Sequence, residues 1–173
     1  MLRIKTGRWN VGEAAALYLR HAFINASEYP SAGEQRPPLV LVRKRARVRI
    51  YDSVLDGAYS VRGLIVDHAA FVELHTTILF FCVASKGNGG GLLVNNSAVS
   101  LIMSAIANNG AANDGGAIYL NGEGSLLHVR GSVFKYNVAR SDGAAIFAGG
   151  GVTVNVLDTY FARNIAHRVR SFV

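Results

Sequence analysis

The chain has one cysteine, one tryptophan, two methionines and three prolines among its 173 residues. A single thiol excludes an internal disulfide, and Cys82 lies in the apolar run Ile78–Ala84, where it reads as a small buried hydrophobe and not as a nucleophile. Five histidines beside that cysteine form no metal-ligand spacing, so neither a metal nor any other cofactor is expected. No apolar run approaches the roughly 20 residues that a membrane-spanning helix needs. A secretory leader is not legible either, because the apolar stretch Ala14–Leu19 is cut short by Arg20 and His21. On this reading the chain is expected to be an internal fragment or the product of an incomplete gene model.

Glycine is abundant, with 19 residues and no Gly-X-Y period. Together with half the residues being hydrophobic, that demands many tight corners in a β-rich chain. The net charge of +7 is uneven: residues 1–50 carry ten Lys/Arg against three Asp/Glu, whereas residues 51–173 carry eight against eight. The two parts are therefore read separately, as an N-terminal cap and linker segment over 1–45 and a repeat region over 46–173.

The repeat region shows self-similarity at a period of about 27 residues, the signature of a solenoid. Ile106-Ala107-Asn108-Asn109 leads to Gly115-Gly116-Ala117-Ile118, and Phe134-Lys135-Tyr136-Asn137 leads over the same interval to Gly143-Ala144-Ala145-Ile146. Phe161-Ala162-Arg163-Asn164 opens a third copy. Phe81-Cys82-Val83-Ala84 with Gly90-Gly91-Leu92-Leu93 is a weaker copy set 25 residues before Ile106, and Leu55 opens a still weaker one. A strand precedes each corner. Val48 and Ile50, Val72 and Leu74, Val99 and Leu101, Leu127 and Val129, Val154 and Val156 occupy equivalent alternate positions and are assigned to five stacked inward columns. The residues between them, from Arg47 and Arg49 to Leu126, His128, Thr153 and Asn155, vary in chemistry as a solvated face does. The expected architecture is all-β: a right-handed parallel β-helix of about five coils.

Each corner residue has a physical task. The glycines supply positive φ and close approach between coils, Ala117 and Ala145 fit where larger inward side chains would not, and Ile118 and Ile146 begin the next strand. Asn109, Asn137 and Asn164 are expected to take the left-handed conformation and to bond from coil to coil through stacked amides. Phe134, Phe161 and Ile106 fill the interior.

The pattern Phe-x-x-Asn followed by Gly-Gly-Ala-Ile, over residues 80–173, resembles the repeat of the chlamydial polymorphic outer membrane proteins. Gly115–Ile118, Phe134–Asn137 and Phe161–Asn164 match it outright; Ile106, Ala84 in place of Asn and Ala144 in place of the second Gly depart from it. Members of that family are surface-exposed adhesins and autotransporters with β-helical passenger regions. The resemblance implies a cell-surface, outer-membrane or extracellular location and a host-surface, glycan or other extracellular ligand. It implies architecture more strongly than lineage, and the C-terminal barrel an autotransporter needs is not seen here.

In the first part, Ala15, Leu19, Ala22, Phe23 and Ala26 suggest an amphipathic helix over residues 11–27 that caps the first coil. The rival is another degenerate coil, with Ala14–Leu19 echoing Gly116–Leu120. Ser31–Pro38 reads as a linker. A basic strand over 43–49 follows, and if Ala46, Val48 and Ile50 face inward, Arg45, Arg47 and Arg49 line one outer strand face, able with Arg43 and Lys44 to follow a polyanion. No aromatic residue is interleaved for base stacking, so specific nucleic-acid recognition is not expected.

Catalysis has few candidates. Parallel β-helices include polysaccharide lyases and hydrolases, but hydrolysis needs carboxylates converging at about 5–9 Å. Asp114 and Asp142, at equivalent positions before the glycines, are the closest approach to such a pair and read as ordinary corner residues. Two acids also fall short of the six to eight oxygens Ca²⁺ prefers. Asp67 and His68 would point to opposite faces of an extended strand, and His75 and His128 belong to outer columns. Gly87–Gly91 lacks the Lys-Ser/Thr and the helix of a phosphate loop. Asn25-Ala26-Ser27 and Asn95-Asn96-Ser97 are glycosylation sequons. The reading that results is a non-catalytic repeat module acting as adhesin or spacer, with a carbohydrate-active enzyme fragment and a polyanion-binding module as alternatives.

Overall fold

A computed structural model describes residues 2–4, 9–12, 14–26, 36–68 and 70–168. Every regular element among them is a β-strand and every pairing is parallel, so the chain winds as a β-solenoid of about five coils over 46–168, with further strands in front. The coils build four parallel sheets. The first sheet stacks Ala16–Arg20, Arg47–Tyr51, Phe71–His75, Ala98–Ile102, Leu126–Arg130 and Thr153–Leu157. The second includes Ala22–Asn25, Val54–Asp56, Ile78–Phe80, Ala105–Ala107, Val133–Lys135 and Tyr160–Ala162. A short third sheet holds Val83–Ala84, Gly110–Ala111, Val138–Ala139 and Ile165–Ala166. The fourth holds Trp9–Val11, Val40–Val42, Leu64–Asp67, Leu92–Asn95, Ile118–Asn121 and Ile146–Ala148.

Strand alternation produces the core. In the first sheet Val48, Val72, Val99, Leu127 and Val154 are in register, as are Ile50, Leu74, Leu101, Val129 and Val156, which are the five inward columns read from the sequence. All but the last member of each column are essentially fully buried. Branched residues dominate because two substituents on Cβ suit the pleated surface and fill the narrow interior. Inward columns in the second sheet run Ile24, Leu55, Leu79, Ile106, Phe134 and Phe161. The rings of Phe134 and Phe161 stack at 5.0 Å.

The strands are short because left-handed residues turn the chain at the corners. Between first and second sheets these are His21, Asp52, Thr76, Met103, Gly131 and Asp158; between second and third they are Phe81, Asn108, Tyr136 and Arg163. A left-handed non-glycine residue costs roughly 1–2 kcal/mol. The residue after it points inward and offsets that cost by bonding to the neighbouring coil. This corrects one expectation: the left-handed position belongs to the residue before each asparagine, since Asn109 and Asn137 must aim their amides into the stack.

Other expectations also change. Residues 11–27 do not form a capping helix in any described part: Trp9–Val11, Ala16–Arg20 and Ala22–Asn25 are strands joined to the same sheets as the repeats, so the solenoid continues in front of residue 46. The helical stripe was misleading because Leu19, Ala22, Ile24 and Ala26 are all inward through strand alternation either side of left-handed His21. The degenerate-coil alternative is the one seen, in a different register: Leu17 and Leu19 pair with Val48 and Ile50 of the first sheet, whereas Ile118 belongs to the fourth. Of the linker Ser31–Pro38, residues 31–35 lie outside the described residues. In the weak copy Leu79, not Phe81, pairs with Ile106, so Cys82 and not Ala84 holds the asparagine place, and Leu92 aligns with Ile118. The spacing at Leu79 is 27, not 25, because Phe81 is the outward corner residue.

Candidate functional site

The polar residues that enter the wall are taken up in ladders. The Asn109 Oδ1 accepts the Cys82 N–H at 3.0 Å, Asn137 Oδ1 accepts the Asn109 N–H and Nδ2–H at 3.0 Å, and Asn164 Oδ1 accepts the same pair from Asn137 at 3.1 and 2.9 Å. Each Nδ2 also donates to a carbonyl one coil up, those of Leu79, Ile106 and Phe134. A second ladder of Ser53, Thr77, Ser104, Ser132 and Thr159 follows the same rule at the preceding corner. Ser97 and Ser125 form a third. Sequence reading missed the hydroxyl ladders; their signal is a Ser or Thr three residues past each inward pair of the first sheet. Ser97 also belongs to a sequon, so its hydroxyl is buried in the wall. Cys82 tops the asparagine ladder and donates its thiol to the Phe80 carbonyl, and burial pushes that thiol well above its ordinary pKa.

Asp114 and Asp142 lie at equivalent places in adjacent coils, and the Asp114 carboxylate is spent on the same kind of bond. The Asp114 Oδ1 accepts the Asp142 N–H at 2.9 Å, and Asn88 Oδ1 accepts the Asp114 N–H at 3.1 Å one coil earlier. Beside them the two corner glycines divide their work. Gly89, Gly115 and Gly143 have φ of +66°, +68° and +62°, while a Cβ on Gly116 would meet the carbonyl oxygens of Ala144 and Val138 at 2.5 Å. Ala117 is fully buried at the start of Ile118–Asn121, and Ala145 and Ile146 repeat the arrangement.

Asp67 and His68 do meet, contrary to the strand argument: His68 Nδ1 lies 2.7 Å from Asp67 Oδ2. The strand ends at Asp67 and His68 has φ of +58°, which swings its ring back over its neighbour. The His68 ring is largely solvated, while Asp67 is half-buried. Among described residues no group of three His, Cys, Asp or Glu is placed to hold a metal.

The outer face of the first sheet carries the basic run. Arg47 and Arg49 are exposed and outward, with Ala46, Val48 and Ile50 buried beneath. Lys44 and Arg45 belong to a left-handed turn with φ of +54° and +62°, so the strand begins at Arg47 and the basic strand over 43–49 is shorter than expected. A chain entering from Val40–Val42 must turn before it can join the first sheet. Arg43 and Arg45 extend the charge at the corner, while Arg49 Nε approaches Glu73 at 4.0 Å. Next to it Tyr18, Tyr51 and His75 stack up the sheet at 5.3 and 5.5 Å between rings. The Tyr51 hydroxyl donates to Glu73 Oε1, which pushes the phenol pKa up.

A depression lies elsewhere, an open cavity of about 600 Å³ flanked by Arg36, Tyr59, Arg62, Ser85 and Lys86. The Arg62 guanidinium is held there by carbonyls of the glycine-rich loop: Nε to Gly89 at 2.9 Å, Nη2 to Asn88 at 2.9 Å and to Lys86 at 3.4 Å. The loop thus presents carbonyls to a cation, the reverse of a phosphate loop. No helix among the described residues is long and apolar enough to cross a membrane. Comparison with protein-family models, with curated proteins and with solved structures finds no match to this chain.

Proposed function

We propose that this chain is a non-catalytic repeat module of a cell-surface or secreted protein, a stiff spacer whose outward columns form an adhesive surface. The observation that carries this reading is the division of labour within each coil. Ladder residues point inward and bond coil to coil, leaving outward positions such as Arg47, Phe71, Ala98, Leu126 and Thr153 free to differ without disturbing the winding. A solenoid whose coils bond only to their neighbours offers a long ridged face suited to extended ligands. Similarity of the Gly115–Ile118 and Phe134–Asn137 motifs to the polymorphic outer membrane protein repeat supports the surface location.

Against the alternative of a polysaccharide-cleaving fragment stands the engagement of Asp114 with the Asp142 backbone, which makes that acid part of the corner. The test is direct. Purified chain incubated with pectin and polygalacturonate is assayed for new reducing ends and unsaturated products, and none is expected above buffer. Turnover that disappears in Asp114→Asn with Asp142→Asn would replace the adhesive reading by the enzymatic one. The polyanion reading of Arg43, Lys44, Arg45, Arg47 and Arg49 is favoured by their exposure on one edge. It predicts heparin retention at low salt that is lost near physiological salt and absent in Arg45→Gln/Arg47→Gln/Arg49→Gln.

A further inference from the structure

Among the described residues the third sheet has four strands where the first and fourth have six. Its first described strand is Val83–Ala84, and in the coil above it residues 58–60 turn where a strand would otherwise extend. The step left in the wall is the cavity of about 600 Å³.

Three features of this notch point to one kind of ligand. The first is charge: Arg36, Arg62 and Lys86 line it with no acidic residue among the described lining, and neither Arg36 nor Lys86 forms an ion pair with a described residue. Arg62 is half-buried and satisfied by carbonyls alone, leaving its positive charge uncompensated. The second is an orphan donor. In the coils below, the N–H groups of Ala112, Arg140 and His167 donate to the carbonyls of Ala84, Ala111 and Ala139. Ser85 holds the same place in the first described coil of this sheet, where no acceptor strand is described, and its N–H finds no partner among the described residues. The third is a platform: the Tyr59 ring is 63% exposed and stacks one face on Phe81 at 4.4 Å, leaving its other face uncovered by that contact.

We propose that the notch binds an acidic saccharide unit, its sulfate or carboxylate held by Arg36, Lys86 and the Ser85 N–H and its ring laid against Tyr59. A peptide strand is the poorer fit, because the Val83 N–H is already bonded to the Val61 carbonyl and only one ladder donor remains. A single backbone donor flanked by two long cations suits one oxyanion on one ring. The proposal deepens the adhesive reading by giving it a ligand class, on a face distinct from the Arg47 and Arg49 strand.

Amide-resolved NMR titration of the full chain tests it, with a sulfated heparin disaccharide, a digalacturonate and a neutral maltose control. Saturable shifts at Ser85 and Lys86 are expected with one or both acids and not with maltose; which acid acts identifies the oxyanion. Arg36→Gln with Lys86→Gln should weaken binding by about tenfold or more. Tyr59→Asn, which tolerates the left-handed backbone at this position, should weaken it as well. Arg47→Gln with Arg49→Gln should leave it unchanged. Absence of shifts with both acids, equal shifts with maltose, or undiminished affinity in Arg36→Gln/Lys86→Gln would overturn the proposal while leaving the spacer reading standing. Loss of affinity in Arg47→Gln/Arg49→Gln to the same degree would move the site to the basic strand.

Discussion

The Asn137 side chain makes four hydrogen bonds from a fully buried position, and Phe134 three residues earlier fills the interior beside it. Removing either therefore acts through a different physical route. Phe134→Ala leaves a cavity between Ile106 and Phe161 and should cost about 3–5 kcal/mol. Asn137→Ala leaves buried backbone groups unpaired and should cost about 1–3 kcal/mol. His128→Ala, on the outer column between Ser100 and Asn155, should change stability little. Urea melts of the three variants check the ordering, and a His128→Ala loss as large as that of Phe134→Ala would contradict the inward and outward assignment. Electrostatics give a second residue-level expectation. The Arg20 guanidinium, 3.1 Å from Asp52, and a hydrogen bond from Thr76 hold the Asp52 carboxyl below the usual carboxylate range. A depressed folded pKa favours folding above the unfolded pKa, and that contribution fades as pH falls through the folded value. Carboxyl NMR should show the low midpoint, and Arg20→Gln should raise it; no movement would remove Arg20 as the cause.

At the scale of the element, a coil is four short strands separated by corners, and what specifies it is the corner more than the strand. Gly116 is a tight example, since its neighbours on the next coil are backbone oxygens that cannot move aside. Gly116→Ala should destabilise by about 1–3 kcal/mol through overpacking, even though the next coil carries Ala144 at that place. Gly124→Ala meets no neighbour and suffers only from its φ of +77°, so it should cost less. Thermal melts of the pair separate close approach from backbone conformation. Corners also explain what was legible. Asn109, Asn137, Asn164 and the glycines recur visibly because few residue types can do their work. The corner hosts at Phe81, Asn108, Tyr136 and Arg163 do not recur, because an outward left-handed residue is constrained in backbone and free in side chain. That freedom hid the register of the weak copy and let Phe81 pass for an interior residue.

For the whole molecule, stability should follow position in the stack, because each coil is bonded to the coils on either side. The last described coil has one neighbour among the described residues, and its inward Val156 and Phe161 are 39% and 42% exposed, against complete burial of Leu101 and Phe134. Hydrogen exchange should be slowest at Val99, Leu101, Leu127 and Val129 and markedly faster at Val154 and Val156. Uniform protection from Val72 to Val156 would mean that the coils open as one unit. The same geometry supports the spacer reading, since parallel pairing in strict register makes the outer face a regular grid over its whole length.

The sequence by itself determined the winding: period, inward columns, corner glycines and the asparagine ladder each follow from local chemistry repeated at about 27 residues. Tertiary structure decided what depends on which coil lies next to which. The front segment is strand and not helix because its apolar residues meet Val48, Ile50 and Leu55, a contact no local pattern reports. Asp67 and His68 come together because a left-handed corner overrides strand alternation. The notch beside Tyr59, Ser85 and Lys86 exists because residues 58–60 turn where the third sheet would otherwise extend past Val83–Ala84, an offset between elements far apart in the chain. Repetition writes itself into the sequence; the place where repetition is interrupted becomes visible only once the coils are stacked.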